Sequence, residues 1–207
     1  RALDMIRRGR NSIVFVSDST IRQALIRAGA TPEEARTCNV TGCYEYSVQG
    51  AYSLGMNYVN LLKPLEYALH QGNDGVTGTF SGISSPDISA YDTFEKLYDE
   101  YKHQLFEILN VTMQTADAID AYLYVINPLS LLSATFESCL EKARDAIGGG
   151  GRRNDSVIAC GFLADATDSL MMIRKYVYEK KELSLSRLVE ILDNNFEGDE
   201  IFRRKLL

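Results

Sequence analysis

A thiol and a carboxylate stand one residue apart in Thr41-Gly42-Cys43-Tyr44-Glu45. In an extended or tightly turned backbone, residues i and i+2 point to the same side, so Cys43 and Glu45 can reach one small molecule together. A carboxylate this close opposes ionisation of the thiol and raises its pKa. Activated nucleophilic cysteines sit instead beside His, Lys, Arg or a helix N-terminus, and between residues 38 and 62 the only charged residue is Glu45. The two histidines, His70 and His103, are remote in sequence. A protonated thiol beside a base suits hydrogen-atom transfer, with the carboxylate left to accept a substrate proton. Radical chemistry is therefore the expectation for this pair.

The elements that must hold the pair begin with a helix ending at Gly9 and a short apolar run, Ser12-Ile13-Val14-Phe15-Val16, which predicts a buried strand. Ser17-Asp18-Ser19 offers N-cap oxygens to a helix with Ile21, Leu25 and Ile26 on one face and Gly29 at its end. Thr31-Pro32-Glu33-Glu34 is a capping box with proline in the first turn, so a short helix should deliver the chain into the Cys43 loop. Downstream, Tyr58, Leu61, Leu62, Leu65 and Leu69 predict an amphipathic helix over residues 54–71, kinked at Pro64.

Residues 73–91 read as a turn-rich connector with room for a small hairpin. The apolar positions Phe94, Leu97, Tyr101, Leu105, Ile108, Met113, Ile119 and Leu123 then predict one long helix. Asn127-Pro128 ends it, and residues 129–146 should be helical. Gly148 to Gly151 lacks the Lys-Ser or Lys-Thr of a phosphate-binding loop and reads as a flexible connector. Val157-Ile158-Ala159-Cys160 is a second strand signal, followed by helices over residues 164–180 and 185–195, the last capped by Ser184, and a short one after Gly198. Strands separated by helices predict a helix-rich α/β fold.

Gly42-Cys43-Tyr44-Glu45 resembles the Gly-Cys-Val-Glu finger loop of glycyl radical enzymes, the pyruvate formate-lyase superfamily. The resemblance extends upstream through Phe15-Val16-Ser17-Asp18 and Ala35-Arg36, and downstream through Gly50, Asn60-Leu61-Leu62-Lys63 and Leu69-His70-Gln71-Gly72. Gly149-Gly150-Gly151-Arg152-Arg153-Asn154 resembles the family's G-G-A-x-Y-N, and Leu192-Asp193-Asn194-Asn195-Phe196-Glu197-Gly198 its L-D-A-N-F-E-G. Departures are Tyr44 for the usual Val, Tyr46 for the usual Pro, Arg153 for a usual Tyr, and a short gap between Gly50 and Asn60.

The resemblance implies part of a ten-stranded α/β barrel, divided here into a thiyl-loop half (1–72), a connector (73–91) and a helical half (92–207). It implies Cys43 as the hydrogen-abstracting thiyl residue, Glu45 as the proton acceptor and Tyr58 as an aromatic residue facing the substrate. It also implies a glycyl radical held outside these residues, installed by an S-adenosylmethionine-dependent iron–sulfur activating enzyme under anaerobic conditions. The expected partners are a small polar organic substrate, that activating enzyme, and a second copy in a homodimer. One cysteine followed by Glu resembles the dehydratase and C–N or C–S lyase branches more than the acyltransferase branch, which carries two adjacent cysteines. A formate acetyltransferase-like or decarboxylase member stays open, as does a non-catalytic helical interaction module with an inert Cys43.

The 207 residues, 45% of them hydrophobic, can bury a sizeable core, and no apolar run approaches the roughly 18 residues of a membrane span. A formal net charge of -6 disfavours nucleic acid, which needs clustered cations. Cys38, Cys43, Cys139 and Cys160 lack paired C-x-x-C spacing, so neither zinc nor disulfides are indicated, and Cys38, Cys139 and Cys160 read as small buried apolar residues. A reducing cytoplasmic compartment follows as the expectation. Without a glycyl motif of the R-V-x-G-Y type, the 207 residues are expected to be an internal piece of a larger enzyme, inactive alone.

Overall fold

The computed structural model describes residues 1–9, 15–42 and 45–206, with the side chains of residues 52–54 outside that description. The element order is α1 (Ala2–Arg7), α2 (Asp18–Arg27), α3 (Pro32–Arg36), β1 (Cys38–Val40), β2 (Tyr46–Val48), β3 (Tyr52–Asn60), α4 (Lys63–Leu69), α5 (Phe94–Ile126), α6 (Ser130–Ser133), α7 (Glu137–Lys142), β4 (Arg153–Gly161), α8 (Leu163–Ile173), α9 (Leu185–Asp193) and α10 (Glu200–Leu206). The fold is therefore mixed and helix-rich. The strands form two pairs, β1 with β2 and β3 with β4. Arg153 N–H donates to Ala51 O at one end of the second pair and Leu61 N–H to Gly161 O at the other, so β3 and β4 run the same way.

The chain divides into two compact units, one of residues Arg1–Gly55 and Ile119–Ser156, the other of Met56–Ala118 and Val157–Leu207. In the first, Ile21 and Leu25 of α2, Ala30, Ala35 of α3, Val48 of β2 and Ala51 form one buried cluster, and Phe136, Cys139 and Ala146 a smaller one. In the second, α4 supplies Leu65, Ala68 and Leu69, α5 supplies Leu97 and Tyr101, α8 and its continuation supply Leu170, Ile173 and Val177, and α9 supplies Leu185 and Leu188. Leu97 has no exposed surface, and the Tyr101 hydroxyl donates to Leu61 O at 3.1 Å.

Several elements form where local chemistry places them. Ser17 Oγ accepts from Thr20 N–H at the start of α2, and Gly29, at φ 91°, takes the left-handed conformation just past its end. Thr31 and Glu34 complete both halves of the capping box on α3. Ser184 Oγ accepts from Arg187 N–H at the start of α9. In the connector, Asn73 bridges Phe80 in antiparallel fashion and Asp74 N–H donates to Thr79 O at 2.8 Å, which is the expected small hairpin.

Other expectations are corrected. Residues 54–71 are not one helix: β3 occupies 52–60 and only Lys63–Leu69 is helical. Met56 and Tyr58 are exposed while Val59 is buried, an alternation of period two that suits a strand. Pro64 sits in the first turn of α4, where no backbone donor is required, so it starts the helix and does not kink it. The strand expected at residues 12–16 lies mostly outside the described residues, and Phe15 and Val16 are irregular and exposed.

Residues 129–146 are also broken into pieces. Ala143 at φ 48° ends α7, and the Asp145 carboxylate accepts from Leu129 N–H and Ser133 Oγ. The helix of residues 164–180 turns π-helical over Arg174–Glu179, with Lys180 N–H donating to Lys175 O. The four glycines are a packed turn and not a loose linker. Gly148 and Gly150 both donate to Asp145 O, and a Cβ on Gly150 would run into the Arg144 carbonyl. Of the described cysteines only Cys139 is buried; Cys38 is half-buried and Cys160 exposed.

Candidate functional site

β1 and β2, which precede and follow Cys43 and Tyr44 in sequence, form a β-hairpin. β1 and β2 pair antiparallel in the register Cys38 with Val48, Asn39 with Ser47 and Val40 with Tyr46. The ladder closes with Thr41 N–H donating to Glu45 O at 2.9 Å, so Glu45 stands where the second strand begins. Hydrophobic burial fixes this register: Val48 belongs to the cluster built on α2 and α3, and Cys38 and Tyr46 pack against it. A one-residue slip would turn those side chains to the opposite face. The short α3, started by its capping box, ends one residue before β1, so the hairpin inherits its orientation from a helix with a defined first turn.

Cys43 and Tyr44 lie outside the described residues, and Cys43 is placed by sequence alone between Gly42 and Glu45. Glu45 is half-buried. Its carboxylate lies against Gly42, where a Cβ would collide with Oε2 and come within 2.8 Å of the carboxyl carbon. Glycine at 42 is thus a requirement of the space the carboxylate occupies. Glu34, in the capping box, accepts Thr31 N–H at 2.9 Å and Arg152 Nη1 at 3.1 Å, and these two bonds hold its pKa below the ordinary glutamate range.

Tyr58 lies in the second compact unit, whereas Glu45 lies in the first. It is on β3, not on a helix, and its side chain is exposed. Its ring crosses Gly161 so closely that a Cβ there would stand 2.7 Å from Cε1, so glycine on β4 is what admits the tyrosine. Tyr58 lines a cavity of about 370 Å³ together with Asn60, Lys63, Tyr67, Gly82 and Thr112.

Lys63 is not a free cation in that cavity. Its ammonium binds Asp74 Oδ2 at 2.5 Å and Glu66 Oε2 at 2.8 Å, and these partners, Asp74 foremost, hold its pKa well above the ordinary lysine range. Asp74 in turn is held well below the carboxylate range, first by Lys63 and then by the Thr77 N–H.

Another wall of the cavity is set by Gln104, a polar residue on the apolar stripe of α5 seven residues after Leu97 and fully buried. Its amide nitrogen donates to Ile83 O at 2.8 Å and to Ser85 Oγ at 2.6 Å, and its oxygen accepts Ile83 N–H at 3.1 Å. The Ser85 hydroxyl in turn donates to Glu100 Oε1 at 2.6 Å. A glutamine at a core position of the stripe was the one signal in the sequence for this network.

His70 caps the C-terminal end of α4 and reaches further. One ring nitrogen lies 2.9 Å from Glu66 O and the other 2.9 Å from Asp193 Oδ1 on α9. His103 is exposed, 3.6 Å from Glu100. Among the described residues no group of three or more His, Cys, Asp or Glu could hold a metal ion, and no helix is long and apolar enough to cross a membrane.

A family model described as pyruvate formate lyase-like matches residues 1–207. Trans-4-hydroxy-L-proline dehydratase of Clostridioides difficile is 33% identical over 202 residues, covering 97% of this chain and 26% of that protein. Isethionate sulfite-lyase of Desulfovibrio desulfuricans is 27% identical over 209 residues, covering 93% and 24%. Among solved structures, hydroxyproline dehydratase from Clostridioides difficile with trans-4-hydroxy-L-proline bound superposes with a TM-score of 0.84 at 31% identity, covering 92% of this chain and 24% of that one. A glycyl radical enzyme from Archaeoglobus fulgidus superposes at 0.79 with 27% identity, covering 91% and 24%. The chain spans about a quarter of the length of the relatives it matches.

Proposed function

The chain belongs to the pyruvate formate lyase-like family, and from that premise we propose that it carries the hydrogen-abstracting thiol and the proton acceptor of a glycyl radical dehydratase or lyase. The carrying observation is the hairpin, whose register puts Glu45 at the start of β2 with its carboxylate packed on Gly42, directly beside Cys43 in sequence. That relatives are named as a dehydratase and a sulfite-lyase supports elimination as the reaction class. In this reading β3 and β4 are neighbouring strands of a ten-stranded barrel, and Tyr58 faces the substrate.

A protein-derived glycyl radical outside these residues, installed by an S-adenosylmethionine-dependent iron–sulfur activating enzyme, supplies the one-electron chemistry. Cys43 gives up its thiol hydrogen atom to that radical, and the sulfur radical left behind takes one from the hydroxyl-bearing carbon of a small polar substrate, restoring its S–H bond. Glu45 takes the hydroxyl proton. The substrate radical expels the group on the adjacent carbon with its bonding pair, forming a carbonyl, and the carbon radical left behind takes the hydrogen atom back from Cys43. The protein holds the reacting atoms in line and excludes competing partners.

The test uses the full-length enzyme. Glu45→Gln should lower turnover by about two to four orders of magnitude, the range for a positioned proton acceptor, with the fold intact. Cys43→Ala should abolish turnover while the activating enzyme still generates the glycyl radical. Near-wild-type turnover in Glu45→Gln would remove Glu45 from the mechanism, and activity surviving Cys43→Ala would end the proposal.

A further inference from the structure

Arg153, the first residue of β4, grips both chain segments that flank the hairpin. Its backbone N–H donates to Ala51 O at 2.9 Å, immediately after the turn in which Ala51 N–H bonds Val48 O at the end of β2. Its guanidinium reaches the segment that enters the hairpin: Nη1 donates to Ala28 O at 3.0 Å and Nη2 bonds Gly29 O. Those carbonyls lie at the C-terminal end of α2, beyond the reach of the helix's own donors, where a cation is also favoured by the helix dipole. The neighbouring Arg152 bonds Glu34 at 3.1 Å, and Glu34 caps α3. Two consecutive arginines therefore hold residues 28–34 on one side and residue 51 on the other, and the hairpin is the stretch between.

The contact to Ala51 is made by the backbone and persists whatever the side chain; it is the guanidinium that ties this strand end to the end of α2. The Arg153 side chain is only 23% exposed, and its planar fork matches two successive carbonyls in a way a lysine ammonium cannot. We propose that Arg153 is a positioning residue: with its backbone on Ala51 and its guanidinium on the end of α2, it fixes both ends of the hairpin that carries Glu45 and, two residues earlier in sequence, Cys43. This rests on the radical reading above.

The test is made on the activated full-length enzyme without substrate, by transfer into D2O under anaerobic conditions. Solvent deuterium enters the Cys43 thiol. Hydrogen-atom transfer then breaks S–D and forms C–D at the glycine, and the reverse transfer returns protium to sulfur, so the radical's electron paramagnetic resonance doublet collapses as its α-hydrogen is replaced. Arg153→Ala is expected to slow that collapse about tenfold or more, since hydrogen-atom transfer is steep in distance, while radical yield stays within about twofold of wild type. Arg153→Lys, which keeps the charge without the fork, should slow it by a smaller factor and serves if the alanine variant does not fold. An unchanged collapse rate in the folded variants, with only yield or melting temperature lowered, would overturn the positioning role. Collapse at the wild-type rate in Cys43→Ser would instead overturn the radical reading itself.

Discussion

Replacing Gln104 by methionine keeps the volume of the side chain and removes every hydrogen bond it makes. Two backbone groups of Ile83, its N–H and its C=O, lose their partners at 3.1 and 2.8 Å. A buried polar group left unpaired costs about 1–3 kcal/mol, and Ile83 is half-buried, so water can reach part of the vacated surface. Taking about 2–3 kcal/mol for the pair, at about 1.4 kcal/mol per factor of ten, local opening of the 81–85 loop should become about 30- to 150-fold more frequent. Amide hydrogen exchange of the peptide spanning Ile83 reads this directly, with the α5 peptide around Leu97 as internal reference. The loop supplies Ser81 and Gly82 to the wall of the Tyr58 cavity, so the same variant should loosen that wall. Exchange at Ile83 within about twofold of wild type would show that Gln104 does not hold the loop, and the assignment of its network would fall.

Gly42→Ala should leave the fold in place, because the methyl meets the movable end of Glu45 and not backbone, yet lower turnover of the full-length enzyme about ten- to a hundredfold by displacing that carboxylate; wild-type turnover would sink the idea that the glycine reserves its space. For His70, burial works against protonation, but Asp193 and the Glu66 carbonyl win and hold its pKa above the ordinary histidine value. Its contribution is therefore fully present below the unfolded pKa near 6.5 and is lost as pH rises through the higher folded value, by less than about 1 kcal/mol because Asp193 is over half exposed. A nuclear magnetic resonance titration that put the His70 pKa at or below 6.5 would contradict this sign.

What could be read from the sequence was what local chemistry decides. The Ser17 cap, the Thr31 to Glu34 capping box, Gly29 at the end of α2, Ser184 at the start of α9 and the long stripe of α5 each follow from contacts within a few residues. The candidate pair at 43 and 45 was likewise visible, as residue types at a spacing. β3 was missed because Tyr58, Leu61, Leu62, Leu65 and Leu69 fit a helical period across a strand end and a helix start, and what makes residues 52–60 a strand is a partner about a hundred residues later. Arg153 escaped for the same reason: its acceptors at Ala28 and Gly29 are distant in sequence, and nothing in Arg152-Arg153 distinguishes a clamp from a charged surface.

The pairing of β3 with β4 also fixes a delay. Leu61 bonds Gly161, so β3 cannot complete its ladder until 100 further residues have been added. At a synthesis rate of about 5–20 residues per second, the strand spends on the order of 5–20 s as an unsatisfied edge, while hairpins such as β1–β2 close in microseconds. The nascent protein therefore carries a closed β1–β2 ladder and an open β3 edge at the same time. That interval is when an exposed strand edge is a template for the wrong chain, and slowing elongation through residues 61–161 would lengthen it in direct proportion.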